Sequence, residues 1–180
     1  NGAAMRILPV ALACYGRPPE MTIFSSRAQA HVTHHNEFSD AACETLVFMV
    51  QDFLAGRDAS EVERERAGKL VADYPVFAYD RKRRDNPSGF VVDTLQAVLQ
   101  AFFATDNFED CLIDVVNRGG DADTTGAIAG MLAGARYGYQ AIPRRWLATL
   151  DQTVCLRCER QAAALLHQRQ DSTGSAPIGD

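Results

Sequence analysis

The stretch that decides the fold is residues 117–130, with the sequence NRGGDADTTGAIAG. Two glycines, Gly119 and Gly120, free the backbone, and two carboxylates follow at Asp121 and Asp123. Two threonines and a run of small residues come next. This order predicts a loop that enters a helix.

The polar residues of this stretch have two interpretations. Asp121, Asp123 and Thr124 offer only oxygen donors, which suit a hard cation such as Mg²⁺, Mn²⁺ or Ca²⁺ and disfavour zinc. Aspartate is also a common residue at the start of a helix, where it satisfies free N–H groups. The calcium-loop pattern with its distal Glu is absent. The residues alone therefore leave metal binding and helix capping both open.

Glycines recur every four residues along the predicted helix, at Gly126, Gly130 and Gly134. Each glycine costs a helix roughly 1 kcal/mol relative to alanine. Three of them require a compensating close approach by another backbone or a ligand. We therefore expect this helix to be buried at the centre of a helical domain.

Composition limits the class of protein. The 180 residues are 47% hydrophobic, enough for one domain with a sizeable core. A net charge of −5 gives no support to binding of nucleic acid or of a membrane surface. No membrane span or signal peptide is evident. The five cysteines, most of them in apolar runs, predict reduced thiols in a cytoplasmic protein, and we interpret Cys155 and Cys158 as buried or incidental thiols rather than a zinc or redox site.

The remaining segments predict helices and no strands, so the fold class is all-α. Residues 5–16 predict a turn that leads into a buried helix, with Pro9 near the helix start or at a kink. We expect one domain over residues 1–170 and a disordered tail over residues 171–180. Further helices are predicted over 20–31, 39–54, 58–72, 90–103, 108–116 and 154–168, with another beginning at Ile142.

Three features outside the central stretch favour ordinary roles on sequence alone. The small residues 1–4 are typical of a turn, although such a turn also holds anions through main-chain N–H groups. His34 is typical of a polar loop. Phe90 lies at the mouth of a helix, where packing is favoured over stacking on a base.

Several motifs together resemble one known family. NGAAMRILP (residues 1–9), Thr33-His34, Ser88-Gly89-Phe90, residues 116–138 and IPRRW (residues 142–146) occur in the order typical of the ADP-ribosylglycohydrolases. The sequence most resembles the bacterial dinitrogenase reductase-activating branch, from residue 1 to about residue 150. The resemblance implies a compact orthogonal helical fold and a centre of two Mg²⁺ or Mn²⁺ ions. It also implies hydrolysis of the N-glycosidic bond between ADP-ribose and a protein arginine.

The resemblance also implies roles for single residues. Asp121, Asp123 and Thr124 match the family's C-terminal metal ligands. His34 matches a histidine that contacts substrate, and Phe90 matches an aromatic residue that stacks on adenine. The loop that holds the diphosphate and ribose corresponds to Asn1, Gly2, Ala3 and Met5, while Gly119 and Gly120 lie where the backbone must approach the ribose.

One family feature has no equivalent here. Family members carry a Thr-Asp-Asp-type motif and further acidic residues in an N-terminal portion. We therefore expect that portion of the fold, with the rest of the metal ligands and the catalytic acid or base, to lie outside this sequence. The expected partners are an ADP-ribosylated protein, dinitrogenase reductase in this branch, and a regulatory protein.

Two other classes of function stay open. A non-catalytic binding or structural protein on the same scaffold would keep the central helix and bind no metal. A metal-dependent phosphohydrolase would also use paired aspartates and a phosphate-binding loop.

Overall fold

The computed structural model describes residues 1–167, which form helices and no strand. The all-α prediction is confirmed. The predicted tail over residues 171–180 lies outside the described residues. No helix within residues 1–167 is both long and apolar enough to cross a membrane.

Eleven α-helices follow one another in the described part of the chain. In order they are α1 (Gly2–Met5), α2 (Leu8–Ala13), α3 (Pro19–His31), α4 (Glu37–Leu54), α5 (Ala59–Val62), α6 (Gly68–Asp73), α7 (Val91–Phe103), α8 (Phe108–Val116), α9 (Ala122–Tyr137), α10 (Arg144–Leu147) and α11 (Gln152–His167). A π-helical turn, Glu63–Ala67, joins α5 to α6, and 3₁₀ turns occupy Pro75–Phe77 and Tyr139–Ala141.

Helix α9 lies at the centre of the domain, as the glycine pattern predicted. It contacts α1, α4, α7 and α8. Its buried face is apolar and includes Ile128, Ala129, Leu132 and Ala133. Helices α4 and α7 pack long apolar faces against the same core. This packing fixes the position of α9, which begins just after Asp121.

Asparagine residues determine where two of the core helices begin. The Asn36 side chain accepts a hydrogen bond from the Phe38 N–H at 2.9 Å and starts α4 at Glu37–Leu54, two residues before the predicted start. Asn107 accepts from the Asp110 N–H at 2.8 Å and starts α8, as predicted. Each side chain satisfies an N–H that has no partner within the helix.

Three sequence expectations need correction. The helix predicted within residues 5–16 is α2, with Pro9 in its first turn as predicted, but it is short and much of it is half exposed because only some residues of each turn face the core. The predicted helix over 58–72 is interrupted by the π-helical turn, and Asp58 caps its first part by accepting from the Ser60 N–H. The helix after Ile142 is one turn long.

The glycines of α9 are not equivalent. A Cβ added at Gly126 would lie 3.1 Å from Val116 Cγ2, and one at Gly130 would lie 3.9 Å from Leu112 Cδ1. At Gly134 no atom lies within 4 Å. The close approach is therefore made at Gly126, by an α8 side chain, while the contact at Gly130 is an ordinary one. The expectation is wrong for Gly134, whose position has room for a side chain.

We predict that Gly134→Ala raises the free energy of unfolding by up to about 1 kcal/mol, because alanine favours the helix and meets no neighbour. Gly126→Ala in the same helix should gain clearly less, or lose stability, because Val116 must move. Urea unfolding followed by circular dichroism measures both. Equal gains from the two substitutions would contradict the packing described at Gly126.

Candidate functional site

Two loops that precede helices α7 and α9 are joined by main-chain hydrogen bonds. The Asn86 N–H donates to the Arg118 carbonyl at 2.7 Å, and the Asp121 N–H donates to the Pro87 carbonyl at 2.9 Å. Residues 86–90 and 117–121 thus lie side by side. This pairing places Phe90 and Asp121, each at the start of its helix, on the same side of the domain.

The glycine pair permits this pairing. Gly119 and Gly120 adopt φ values of 74° and 62°, in the left-handed region that favours glycine. A Cβ at Gly120 would lie 2.3 Å from the Pro87 carbonyl oxygen. What the two glycines approach in this structure is the 86–90 loop, and their approach to a ribose stays a prediction.

A buried arginine that sequence analysis did not single out supports the second loop. The Arg118 side chain is 3% exposed; it donates to Gln100 Oε1 at 2.6 Å and forms an ion pair with Asp114. Burial opposes ionisation of Asp114, but hydrogen bonds from Arg118 and Arg83 outweigh it and lower the carboxyl pKa. The arginine thereby fixes the residue just before the glycine pair to α7 and α8.

The Asn1 side chain joins the chain's first residue to both helix starts. Its Nδ2 donates to Asp121 Oδ2 at 2.6 Å and to Thr94 Oγ1 at 2.8 Å. The hydrogen bond from Asn1 lowers the pKa of Asp121 and keeps it ionised, although burial acts in the opposite direction and raises the pKa. Thr94 lies one turn into α7 and was not identified from sequence, although its spacing of four from Phe90 is a usable signal.

The structure answers the capping question for Asp121. This residue occupies the N-cap position of α9, yet its carboxylate accepts no capping hydrogen bond from the helix. Asp123 lies in the first turn with an exposed side chain, and the buried Thr124 hydroxyl lies 3.7 Å from Met5 Sδ, a weak acceptor. The Asp121 carboxylate therefore does not cap α9.

His34 lies against α1. A Cβ added at Gly2 would be 3.1 Å from His34 Cε1, so Gly2 leaves room for the imidazole. Arg6 donates to Thr33 Oγ1 at 2.6 Å, and that hydroxyl lies 2.7 Å from His34 Nδ1. Burial, and with it the positive charge of Arg6, lowers the His34 pKa. The neutral ring with its proton on Nε2 fits this arrangement, because Thr33 then donates to Nδ1.

The Phe90 ring is packed on one side and exposed on the other. Its side chain is 50% exposed, and one edge packs against Phe38, with ring centroids 6.5 Å apart and planes at 76°. Phe38 in turn packs against Tyr74 and Phe77. The ring is thus held by packing and still has a free surface, while its stacking on adenine stays a prediction.

The predicted residues of the N-terminal turn differ in what they present. Asn1 contacts Asp121, and Gly2 lies next to His34, so both are adjacent to other candidate residues. Met5 is 45% exposed beside Thr124. Ala3 is fully buried in the core, so any contact with a ligand falls to its main chain.

The donors of the Asp121 motif fit a hard divalent cation in kind. They are two carboxylates and a hydroxyl, the ligands that Mg²⁺ and Mn²⁺ prefer. Within residues 1–167 no group of three or more His, Cys, Asp or Glu side chains is placed to hold a metal. A cation bound by Asp121, Asp123 and Thr124 would therefore need further ligands from elsewhere.

We predict that Gly120→Ala destabilises the fold by roughly 2–5 kcal/mol, the sum of left-handed strain and a forced separation of the two loops. Gly56→Ala is the matched control, because Gly56 has a φ of 78° and no atom within 4 Å of an added Cβ. It should cost about 1–2 kcal/mol. Chemical unfolding measures both, and equal costs would show that the loops do not depend on Gly120.

Comparison with known proteins agrees with this architecture. The family model described as ADP-ribosylglycohydrolase matches residues 1–175. An ADP-ribosyl-[dinitrogen reductase] glycohydrolase from Rhodospirillum rubrum is 49% identical over 92% of this chain and 55% of its own length. An ADP-ribosylarginine hydrolase Tri1 from Serratia proteamaculans (strain 568) is 35% identical over 84% of this chain and 43% of its own length.

A solved structure shares the fold. A chain described as an ADP-ribosylglycohydrolase-related protein complex superposes with a TM-score of 0.80 at 33% identity, over 93% of this chain and 59% of that one. The chain belongs to the ADP-ribosylglycohydrolase family. It spans about half the length of the curated relatives it matches.

Proposed function

We propose that the protein removes ADP-ribose from ADP-ribosylated arginine on a target protein, and that this chain carries part of the active site. The names of both curated relatives support this activity, and that of the Rhodospirillum rubrum relative supports dinitrogenase reductase as the target. The proposal includes a regulatory protein partner and a cytoplasmic location.

The observation that carries the proposal is the hydrogen bond between Asn1 and Asp121, 120 residues apart in sequence. It joins the turn proposed to hold the diphosphate and ribose to the acidic motif proposed to bind metal. His34 contacts the same turn, and Phe90 begins the helix that carries Thr94. Residues with the chemistry to bind a nucleotide sugar and a cation thus share one side of the fold.

Asp121, Asp123 and Thr124 would hold the cation side of the site, which we propose contains two Mg²⁺ or Mn²⁺ ions. Their remaining ligands would come from outside the described residues. When bound, such ions stabilise negative charge and make a bound water more acidic. Asp121 suits this role because its low pKa keeps the carboxylate charged at neutral pH.

The other residues would bind and orient the ADP-ribosyl group. The free surface of Phe90 offers a stacking face for adenine. His34 offers Nε2–H to a ribose hydroxyl or a phosphate oxygen, and the α1 turn offers main-chain groups. Water then attacks the anomeric carbon, the C–N bond breaks, and the guanidine leaves as it gains a proton. We assign the acid or base to none of the described residues.

We predict that Asp123→Ala lowers the release of ADP-ribose from an ADP-ribosylated arginine protein by at least about 100-fold, because the site loses one of its carboxylates. The assay uses a full-length family protein that contains this chain, with Mn²⁺ present. Asp106→Ala, which removes an exposed carboxylate elsewhere, is the control and should leave the rate unchanged.

The same assay separates the other classes of function. Near-normal release by the Asp123→Ala protein would refute the assignment of this carboxylate. Hydrolysis of simple phosphate esters without release of ADP-ribose would indicate a phosphohydrolase. No release and no Mn²⁺ binding by the unsubstituted protein would indicate a binding or structural protein.

We predict that Phe90→Ala weakens binding of ADP-ribose by roughly 1–3 kcal/mol, the usual contribution of one aromatic side chain stacked on a base. Phe90→Tyr should bind nearly as well as the original protein. Phe24→Ala is the control, because Phe24 is 74% exposed on α3 and belongs to no proposed contact. Titration calorimetry with ADP-ribose measures all four proteins, and unchanged affinity in Phe90→Ala would exclude stacking.

A further inference from the structure

The hydroxyl of Thr94 is buried at the centre of the candidate site. Thr94 is 0% exposed and lies in α7, where its own N–H already donates to the Phe90 carbonyl at 3.1 Å. The helix therefore does not need the hydroxyl for its main-chain hydrogen bonds. A buried hydroxyl is costly unless it has partners, so its three contacts indicate what it does.

We propose that Thr94 is a positioning residue that fixes the orientation of the Asn1 amide and, through it, presents Asp121 to a ligand by one oxygen, Oδ1. This proposal rests on the proposed function, because it concerns the same cation site. It assigns to Thr94 no contact with substrate or metal.

The first step follows from the single proton of the hydroxyl. Thr94 Oγ1 lies 3.2 Å from the Phe90 carbonyl and 3.3 Å from the Ser88 carbonyl. A carbonyl can only accept, so Thr94 donates its proton in that direction. Toward Asn1, at 2.8 Å, the hydroxyl oxygen can then only accept. The Asn1 side-chain atom that faces Thr94 must therefore be the donor, the amide nitrogen Nδ2.

The second step concerns the amide itself. An asparagine side chain has one NH₂ group with two protons and one carbonyl oxygen. One proton points to Thr94 Oγ1 and the other to Asp121 Oδ2 at 2.6 Å. A flipped amide would place its oxygen against the Asp121 carboxylate, which cannot donate, and Thr94 would have to turn its proton away from the Phe90 and Ser88 carbonyls to meet it. Thr94 and Asp121 together therefore permit one orientation of Asn1.

The third step is the consequence for Asp121. Its Oδ2 is held by Asn1, and its main-chain N–H is held by the Pro87 carbonyl. Asn1 thus holds one carboxylate oxygen and Pro87 holds the Asp121 backbone, and Oδ1 is the oxygen that we assign to a cation beside Asp123 and Thr124. Groups that orient a metal ligand without touching the metal commonly change affinity by about 10- to 100-fold when removed.

The test compares three threonine substitutions in the 180-residue chain. Thr94→Val removes the hydroxyl at nearly constant shape, and Thr94→Ser restores it. Thr22→Val is the matched control, because Thr22 is also buried in a helix and its hydroxyl has no hydrogen-bond partner within the described residues. All three proteins are first checked for native circular dichroism.

Two measurements are made on each protein. Nuclear magnetic resonance of the metal-free protein follows solvent exchange of the Asn1 side-chain NH₂ and the chemical shifts of Asp121. Calorimetry gives the dissociation constant for Mn²⁺. In Thr94→Val we expect faster NH₂ exchange, shifted Asp121 resonances and a dissociation constant about tenfold higher. Thr94→Ser and Thr22→Val should resemble the unsubstituted protein in all three.

Each other outcome overturns the proposal. Unchanged NH₂ exchange in Thr94→Val would show that Thr94 does not hold Asn1. Changed exchange with unchanged Mn²⁺ affinity, or a Thr94→Ser protein that behaves like Thr94→Val, would show that the hydroxyl does not position Asp121. If the unsubstituted chain binds no Mn²⁺, the proposal that this chain binds metal is refuted. The NH₂ exchange and the Asp121 resonances then test by themselves whether Thr94 positions Asn1 and Asp121.

Discussion

The pairing of the 86–90 loop with the 117–121 loop is the constraint on which the candidate site depends. Two main-chain hydrogen bonds make the pairing, and Gly120 permits it, because any larger residue would meet the Pro87 carbonyl. The helices that follow, α7 and α9, consequently begin side by side. Asn1 then connects Thr94 to Asp121 across this junction. Loops are commonly mobile, but these two are held by each other and by the buried Arg118 side chain.

The rest of the fold supplies the rigidity that this junction needs. Helix α9 contacts four other helices, and α4 and α7 bury long apolar faces against the same core. Gly126 in α9 lets the α8 side chain of Val116 approach closely, so the acidic motif is carried by a helix that packs firmly into the core. A metal or substrate ligand gains from such a support, since a rigid element fixes the direction of its oxygens before binding.

The local chemistry of the candidate site agrees with membership of the ADP-ribosylglycohydrolase family in the kinds of residue present but not in the number of carboxylates. The donors of the motif suit a hard cation, and the turn, the histidine and the exposed aromatic ring lie on the same side of the fold. The described residues nevertheless supply too few carboxylates to surround two ions, and the chain spans about half the length of its curated relatives. The proposed two-ion site thus requires oxygen ligands from beyond these residues.

The sequence by itself determined the all-α class, the central place of the glycine-rich helix, most helix positions and the family. Helix periodicity and asparagine caps act within a few residues, so they are legible without a structure. Only the tertiary structure revealed Thr94 and Arg118, the π-helical turn, the room at Gly134, and that Asp121 is held by Asn1 instead of capping its helix. These features depend on contacts between residues far apart in sequence, up to 120 positions, which packing alone brings together.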